Sequence, residues 1–295
     1  MLRSLLGAAL PLVPKPIVRR VASRYVAGES LDDAIAKVRE LNARGLEVTL
    51  ALLGEEVTER ATADAAVEEY LRLLERLEPA GLRSGISIKL TLLGLKIGED
   101  FCRERLVRVL DAAEAHGVFV RIDMEDHTCT DATLRLYAEM HAGYGDRVGT
   151  VLQAYLRRTP EDIAALPAGA SIRLCKGIYI EPEAVAYRDY DEVRAQFVRD
   201  LGLLLDRGVN VGIATHDRYL VDRAREEVRR RGLRDGYEFQ TLLGVTEGVR
   251  DELLREGHRV RVYVPYGSDW YAYSVRRLRE NPQIAVYVLK SLFRG

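Results

Sequence analysis

The chain has 295 residues, long enough for one large α/β barrel or two ordinary domains. Apolar residues make up 47% and charged residues 30%, as in an ordinary soluble globular protein, and a formal net charge of −1 argues against a general nucleic-acid binder. Three widely spaced cysteines, Cys102, Cys129 and Cys175, form no disulfide or metal pattern and point to a reducing, cytoplasmic setting.

From the N-terminus, Arg3 and the apolar run 5–13 bear a slight likeness to a targeting segment. The run is short, Gly7, Pro11 and Pro14 break it, and the chain continues into Arg19 and Arg20 without a small-residue cleavage site. We read residues 1–44 as a retained helical arm and 45–295 as the catalytic domain. No apolar run reaches 18 residues, so no membrane span is expected. Ser30-Leu-Asp-Asp33 has the form of a capping box and predicts a helix to about Ala43, stopped at Gly45.

Short apolar runs then alternate with amphipathic segments. The runs are 46–53, 85–93, 118–125, 148–156, 171–178, 210–215, 237–243 and 259–264. Between them lie helical patterns over 63–77, 101–116, 131–142, 191–207, 217–231 and 246–256, and a short helix capped by Thr159 with Pro160 at its first position. Eight strand–helix repeats without a composition break predict a single (βα)8 barrel.

In these strands one phase is apolar and the other is not. Ile86 and Ile88 alternate with Ser87 and Lys89; Ile122 and Met124 with Arg121, Asp123 and Glu125; Ile172 and Leu174 with Arg173 and Cys175. In a parallel barrel the apolar phase packs on the outer helices and the other phase points inward. Lys89, Asp123, Gln153, Arg173, His216, Gln240 and Tyr263 should therefore converge near the C-terminal strand ends. An unpaired charge there costs several kcal/mol, so a set of this size predicts a site.

The last strand candidate is stopped by Pro265 and Gly267. A helix follows from Ser268 or Asp269. On it Tyr273, Arg276, Arg277 and Glu280 share one face at i, i+3, i+4 and i+7. Adjacent guanidiniums can fork a small carboxylate, with Glu280 steadying one of them; a solvated arginine-rich face is the competing reading. Arginine is so abundant here, with only 6 lysines among 44 basic residues, that lysines inside a strand pattern stand out. With Lys89, Arg173 and Lys176 they predict an anionic ligand. No GxGxxG, P-loop, nucleophile elbow or histidine ligand pair occurs. On the residues alone a Schiff-base aldolase using Lys89 or Lys176 and a non-catalytic binder of a small carboxylate both stand.

Seven short motifs then appear in order: Ser87-Ile-Lys-Leu90, Arg121-Ile-Asp-Met-Glu125, Leu152-Gln-Ala-Tyr155, Ile172-Arg-Leu-Cys-Lys-Gly177, Ala214-Thr-His-Asp217, Tyr237-Glu-Phe-Gln240 and Arg276-Arg-Leu-Arg-Glu280. Together, over about residues 45–282, they resemble the monofunctional proline dehydrogenases and the proline-oxidising domain of PutA proteins. The resemblance implies a distorted (βα)8 barrel with its last helix over the mouth. It implies FAD-dependent oxidation of L-proline to Δ1-pyrroline-5-carboxylate, with electrons passed to quinone. It also implies at most peripheral contact with the cytoplasmic membrane and pyrroline-5-carboxylate dehydrogenase as a partner enzyme.

By the same resemblance, Asp123 matches the active-site aspartate and Arg173 the arginine beside the flavin N5. Lys89, Arg276 and Arg277 match carboxylate ligands, and Tyr263, Tyr273 and Glu280 other pocket residues. Met124, Gln153, Arg173, Lys176, Gly177, Ile178, Thr215, His216 and Gln240 match FAD contacts. Glu55, with Glu56 as the other candidate, matches a glutamate that gates the pocket by pairing at Arg276. Cys175 and Ile178 depart from the family's Val and Ala at their positions.

Overall fold

A computed structural model describes residues 23–77 and 81–271. The first 22 residues, and Tyr273, Arg276, Arg277 and Glu280, lie outside the described residues; of the helix expected to carry them only Trp270 and Tyr271 are described, after a turn at Ser268 and Asp269.

Ser30 caps the first helix, α1 (Leu31–Ala43), through a reciprocal box: Ser30 Oγ accepts from Asp33 N at 3.1 Å and Ser30 N donates to Asp33 Oδ2 at 3.2 Å. There follow β1 (Glu47–Leu52), α2 (Arg60–Leu77), β2 (Ser84–Ile88), α3 (Glu99–Ala115), β3 (Val120–Ile122), α4 (Thr130–Tyr144), β4 (Val148–Gln153) and α5 (Thr159–Ala164). The second half continues with β5 (Ser171–Cys175), α6 (Tyr190–Asp206), β6 (Asn210–Ala214), α7 (Arg218–Arg230), β7 (Tyr237–Leu242), α8 (Glu247–Arg255) and β8 (Val260–Tyr266).

All eight strands are parallel and pair in chain order, and β8 closes on β1 with Val262 opposite Val48. The (βα)8 barrel read from the strand–helix rhythm is the fold of this chain. Its apolar phase behaves as expected: Ile86, Ile88, Val120, Ile122, Ile172, Leu174, Val211, Ile213, Val262 and Val264 are all buried in one core with the helices. Helix α1 packs on both β8 and β1, so the element before the first strand covers the seam where the barrel closes. Its Ala34, Ile35, Val38 and Leu41 belong to that same core. No helix among the described residues is long and apolar enough to cross a membrane.

The ends of the elements differ from expectation. The strand expected over 85–93 stops at Ile88, where the chain turns, so Lys89 stands just beyond β2. The strand expected over 118–125 keeps three residues, Val120–Ile122, and Asp123 to Glu125 leave the ladder as they approach the barrel mouth. Pro265 does not end β8. It sits opposite Ala51, its carbonyl accepts from Ala27 N at 2.9 Å, and the strand reaches Tyr266. Thr159 is not an N-cap either: Arg158 holds that position, and Thr159 Oγ1 instead donates to Gln153 O at 2.7 Å.

Candidate active site

The inward phase forms one connected network across the C-terminal half of the barrel. Asp123, leaving β3, is its hub. Its Oδ1 accepts from Ser87 Oγ on β2 and from Arg173 Nη1 on β5, both at 2.7 Å. Its Oδ2 accepts from Tyr263 OH on β8 at 2.9 Å. Arg173 is held at a second edge, where Nε donates to Gln240 Oε1 on β7 at 2.5 Å, and its guanidinium carbon lies 5.2 Å from the centre of the Tyr263 ring. Five strands thus meet on one buried ion pair. Leaving either charge unpaired here would cost about 3–5 kcal/mol, so each fixes the other's place.

Around this hub lie the other expected residues. Lys89 Nζ stands 4.0 Å from Glu55, which follows β1. Met124 is buried, and Gln153 Nε2 at the end of β4 donates to Glu125 O at 2.9 Å. Glu125 in turn accepts from Thr91 N and Thr91 Oγ1, at 3.0 and 2.5 Å; burial raises its carboxyl above the usual range despite these bonds.

The next strand ends carry Lys176-Gly177-Ile178 after β5 and Thr215-His216 after β6. Gly177 has φ +116°, and a Cβ there would meet the Tyr155 ring at 2.2 Å, so only glycine lets this loop lie flat against the aromatic. Ile178 is 43% exposed beside it. Lys176 Nζ is 3.3 Å from Asp217 Oδ2 and 4.9 Å from the centre of the Tyr190 ring. Burial alone would raise the Asp217 carboxyl, but hydrogen bonds from Arg194, Tyr190 and Lys176 hold it well below the usual carboxylate range. Thr215 Oγ1 accepts from Asp217 N at 3.2 Å. His216 Nε2 accepts from Leu242 N at 2.9 Å, which places the proton of the neutral ring on Nδ1.

The structure therefore brings Asp123, Arg173, Gln240 and Tyr263 into direct contact and sets Lys89, Glu55, Met124, Gln153, Lys176, Gly177, Ile178, Thr215 and His216 on neighbouring strand ends. Three participants escaped the sequence reading. Ser87 was visible as an inward residue without a role. Glu238, two residues before Gln240 on β7, was quoted within a motif but given no role. Glu181, 6% exposed in the loop after β5, carried no signal at all. It accepts from His127 N at 2.9 Å, binds the His127 ring, and lies 3.4 Å from Tyr155 OH, so it ties together the loops after β3, β4 and β5. As chemistry, the site offers a rigid guanidinium, two further ammonium groups and the exposed Ile178 at the C-terminal strand ends.

Residues 34–288 match a family model described as proline dehydrogenase. A proline dehydrogenase of Deinococcus radiodurans is 38% identical, over 93% of this chain and 91% of its own length. Proline dehydrogenase 2 of Bacillus subtilis is 36% identical, over 93% and 91%. The bifunctional protein PutA of Klebsiella aerogenes is 26% identical over 92% of this chain, which spans 24% of that protein. Among solved structures, proline utilization A from Bdellovibrio bacteriovorus, inactivated by N-propargylglycine, is 25% identical with a TM-score of 0.83. That match covers 89% of this chain and 33% of the other, so the chain spans about a third of that solved protein. A family model over most of its length and relatives 36–38% identical along nine-tenths of theirs establish that this chain belongs to the proline dehydrogenase family, a family of oxidoreductases.

Proposed function

We propose that this chain oxidises L-proline to Δ1-pyrroline-5-carboxylate using FAD. The observation that carries the reading is the Arg173 guanidinium, buried at the C-terminal end of the barrel and fixed at two edges by Asp123 and Gln240. The residues fit a flavin dinucleotide on three counts. Lys176 supplies a cation for phosphate, Gly177 lies flat where a side chain could not, and the exposed Ile178 offers apolar area to a ring system. Met124, Gln153, Thr215, His216 and Gln240 complete the cofactor contacts in this reading. FAD held by these residues would supply the hydride acceptor, with quinone as the final electron acceptor.

Arg173 presents a fixed positive charge where negative charge develops, which stabilises more than a mobile one because no reorganisation is required. Asp123 keeps that guanidinium in place and, with Tyr263, closes the far wall of the pocket. Lys89, with Arg276 and Arg277, takes the substrate carboxylate; Glu55 balances Lys89 until it arrives and gates the entrance at Arg276. Tyr273 and Glu280 line the remaining wall. Pyrroline-5-carboxylate dehydrogenase consumes the product, and the enzyme works in the cytoplasm with at most peripheral membrane contact. The test is optical: the purified protein is yellow, with flavin absorbance that anaerobic L-proline bleaches. A colourless protein, or a yellow one that saturating proline leaves oxidised, sinks the proposal.

A further inference from the structure

A polar chamber enters the barrel from its N-terminal end and reaches the underside of Arg173 and Gln240. A cavity of about 270 Å³ opens among the N-terminal strand ends and is lined by Arg121, Ser171, Asn210, Glu238, Arg259 and Arg261, among others. Arg121 is consumed by the barrel wall: Nη1 donates to Thr150 O at 2.8 Å and Ser171 O at 2.5 Å. Glu238 is different, because its bonds lead upward. Its Oε1 accepts from Arg261 Nε at 2.6 Å and from Gln240 Nε2 at 2.7 Å, and its Oε2 accepts from Arg261 Nη2 at 3.1 Å. Arg261 is itself moored to Val48 O at 2.9 Å and to Glu47.

Gln240 is thus clamped between Glu238 below and Arg173 above. A glutamine amide has one accepting and one donating end, and the two look alike in shape. Glu238 ionised can only accept, and Arg173 Nε can only donate. Only one orientation of Gln240 satisfies both, with its NH2 toward Glu238 and its carbonyl toward Arg173. Glu238 remains ionised although burial opposes it, because Arg261 forks it and lowers its carboxyl below the usual range. The cleared space is also specific. A Cβ on Gly212 of β6 would lie 2.3 Å from Gln240 Nε2, so glycine is what admits the amide here.

We infer that Glu238 is a positioning residue for the oxidation of proline: by fixing the direction of the Gln240 amide, it sets the Arg173 guanidinium at the reacting centre. The inference rests on the proposal that Arg173 addresses the flavin. Glu238→Met keeps the length of the side chain and removes the acceptor. Glutamine would not serve, because one oxygen, Oε1, accepts from both Arg261 Nε and Gln240 Nε2, and an amide carbonyl there keeps both bonds. With methionine the Gln240 amide loses its lower partner and is free to turn; turned, its NH2 meets Arg173 Nε, donor against donor, and the guanidinium shifts.

The experiment compares wild type, E238M, Gln240→Leu and the double variant, each loaded with FAD. Expected for E238M are bound flavin, an unchanged KM for proline, and a limiting rate of flavin reduction about 10- to 100-fold lower. A redox titration without substrate should show its flavin midpoint potential moved negative, because a displaced cation stabilises the reduced flavin less. Q240L should lower the limiting rate and move the potential in the same direction, and the double variant should lose no more than the worse single, since both break one chain. A wild-type limiting rate and potential in E238M, or losses that multiply in the double, overturn the inference. If E238M does not fold, Q240L carries the test alone, because it leaves the Glu238–Arg261 pair intact; wild-type behaviour in Q240L overturns it too. A wild-type protein without flavin, or with flavin that proline never bleaches, instead overturns the proposed function.

Discussion

Arg173 shows how much a single side chain's placement depends on shape as well as charge. It uses Nε toward Gln240 and Nη1 toward Asp123, 2.5 and 2.7 Å away. Lysine would keep the charge but cannot span both partners. We expect Arg173→Lys to bind flavin yet reduce it about 100-fold more slowly at saturating proline in anaerobic stopped flow, with a smaller change in KM; a rate within twofold of wild type would show that the fork is unimportant. Cys175 behaves as a packing residue. Its Sγ donates to Leu152 O at 3.6 Å, and burial pushes its thiol up to about 11. At pH 7.5 almost none is thiolate, so alkylation by iodoacetamide should be slow, rising about tenfold per pH unit until near 11. Cys175→Val should remain yellow and active. At this scale the residue types were readable from strand phase, but the role of Glu238 was not: an acid two positions before Gln240 shows no partner until β8 brings Arg261 beside it.

Among the elements, α6 carries an unusual cost. Asp200, on its buried face, is 1% exposed, and neither carboxyl oxygen has a hydrogen-bond partner among the described residues. Burial pushes its carboxyl up to about 7. An unfolded aspartate loses its proton near pH 4, while the folded one keeps it to about 7. Over that interval the folded chain binds the extra proton, so stability falls as pH rises from 4 to 7 and then levels. The loss is at most about 4 kcal/mol. Urea unfolding of wild type and Asp200→Asn at pH 5 and pH 8 tests this: the asparagine variant should lose the downward trend, and parallel trends in the two proteins would refute it. Helices as a class were legible, since capping boxes and apolar stripes are local signals. Strand ends were not. Apolar alternation continues past Ile88 and Ile122 in the sequence, but the ladder stops where the backbones diverge around the site.

For the molecule as a whole, cofactor loading and stability should be linked. The cations at the barrel mouth come from several strand ends, and a ligand that binds only the folded arrangement stabilises it by mass action. At a free FAD concentration 100 times its Kd the gain is about 2.7 kcal/mol, which should raise the melting temperature of the stripped protein by about 4 °C. Differential scanning fluorimetry against FAD concentration measures it, and a flat titration would contradict a preformed site.

Several things were determined by the sequence alone. The eight alternations of short apolar runs and amphipathic segments specified a (βα)8 barrel, because each amphipathic face needs a partner and short connections make neighbours parallel. Seven ordered motifs specified the family, and the family model and relatives bear that out, setting aside the aldolase and the carboxylate binder. The inward polar phase specified which strand residues would meet. Partnership was decided only in three dimensions. Asp123 with Ser87, Arg173 and Tyr263 joins positions 36, 50 and 140 residues apart. Glu181 with His127, and α1 across β8 and β1, are contacts of the same kind. Alternation says that a side chain points inward, but strand stagger and barrel closure decide at what height it arrives and which charge it finds there.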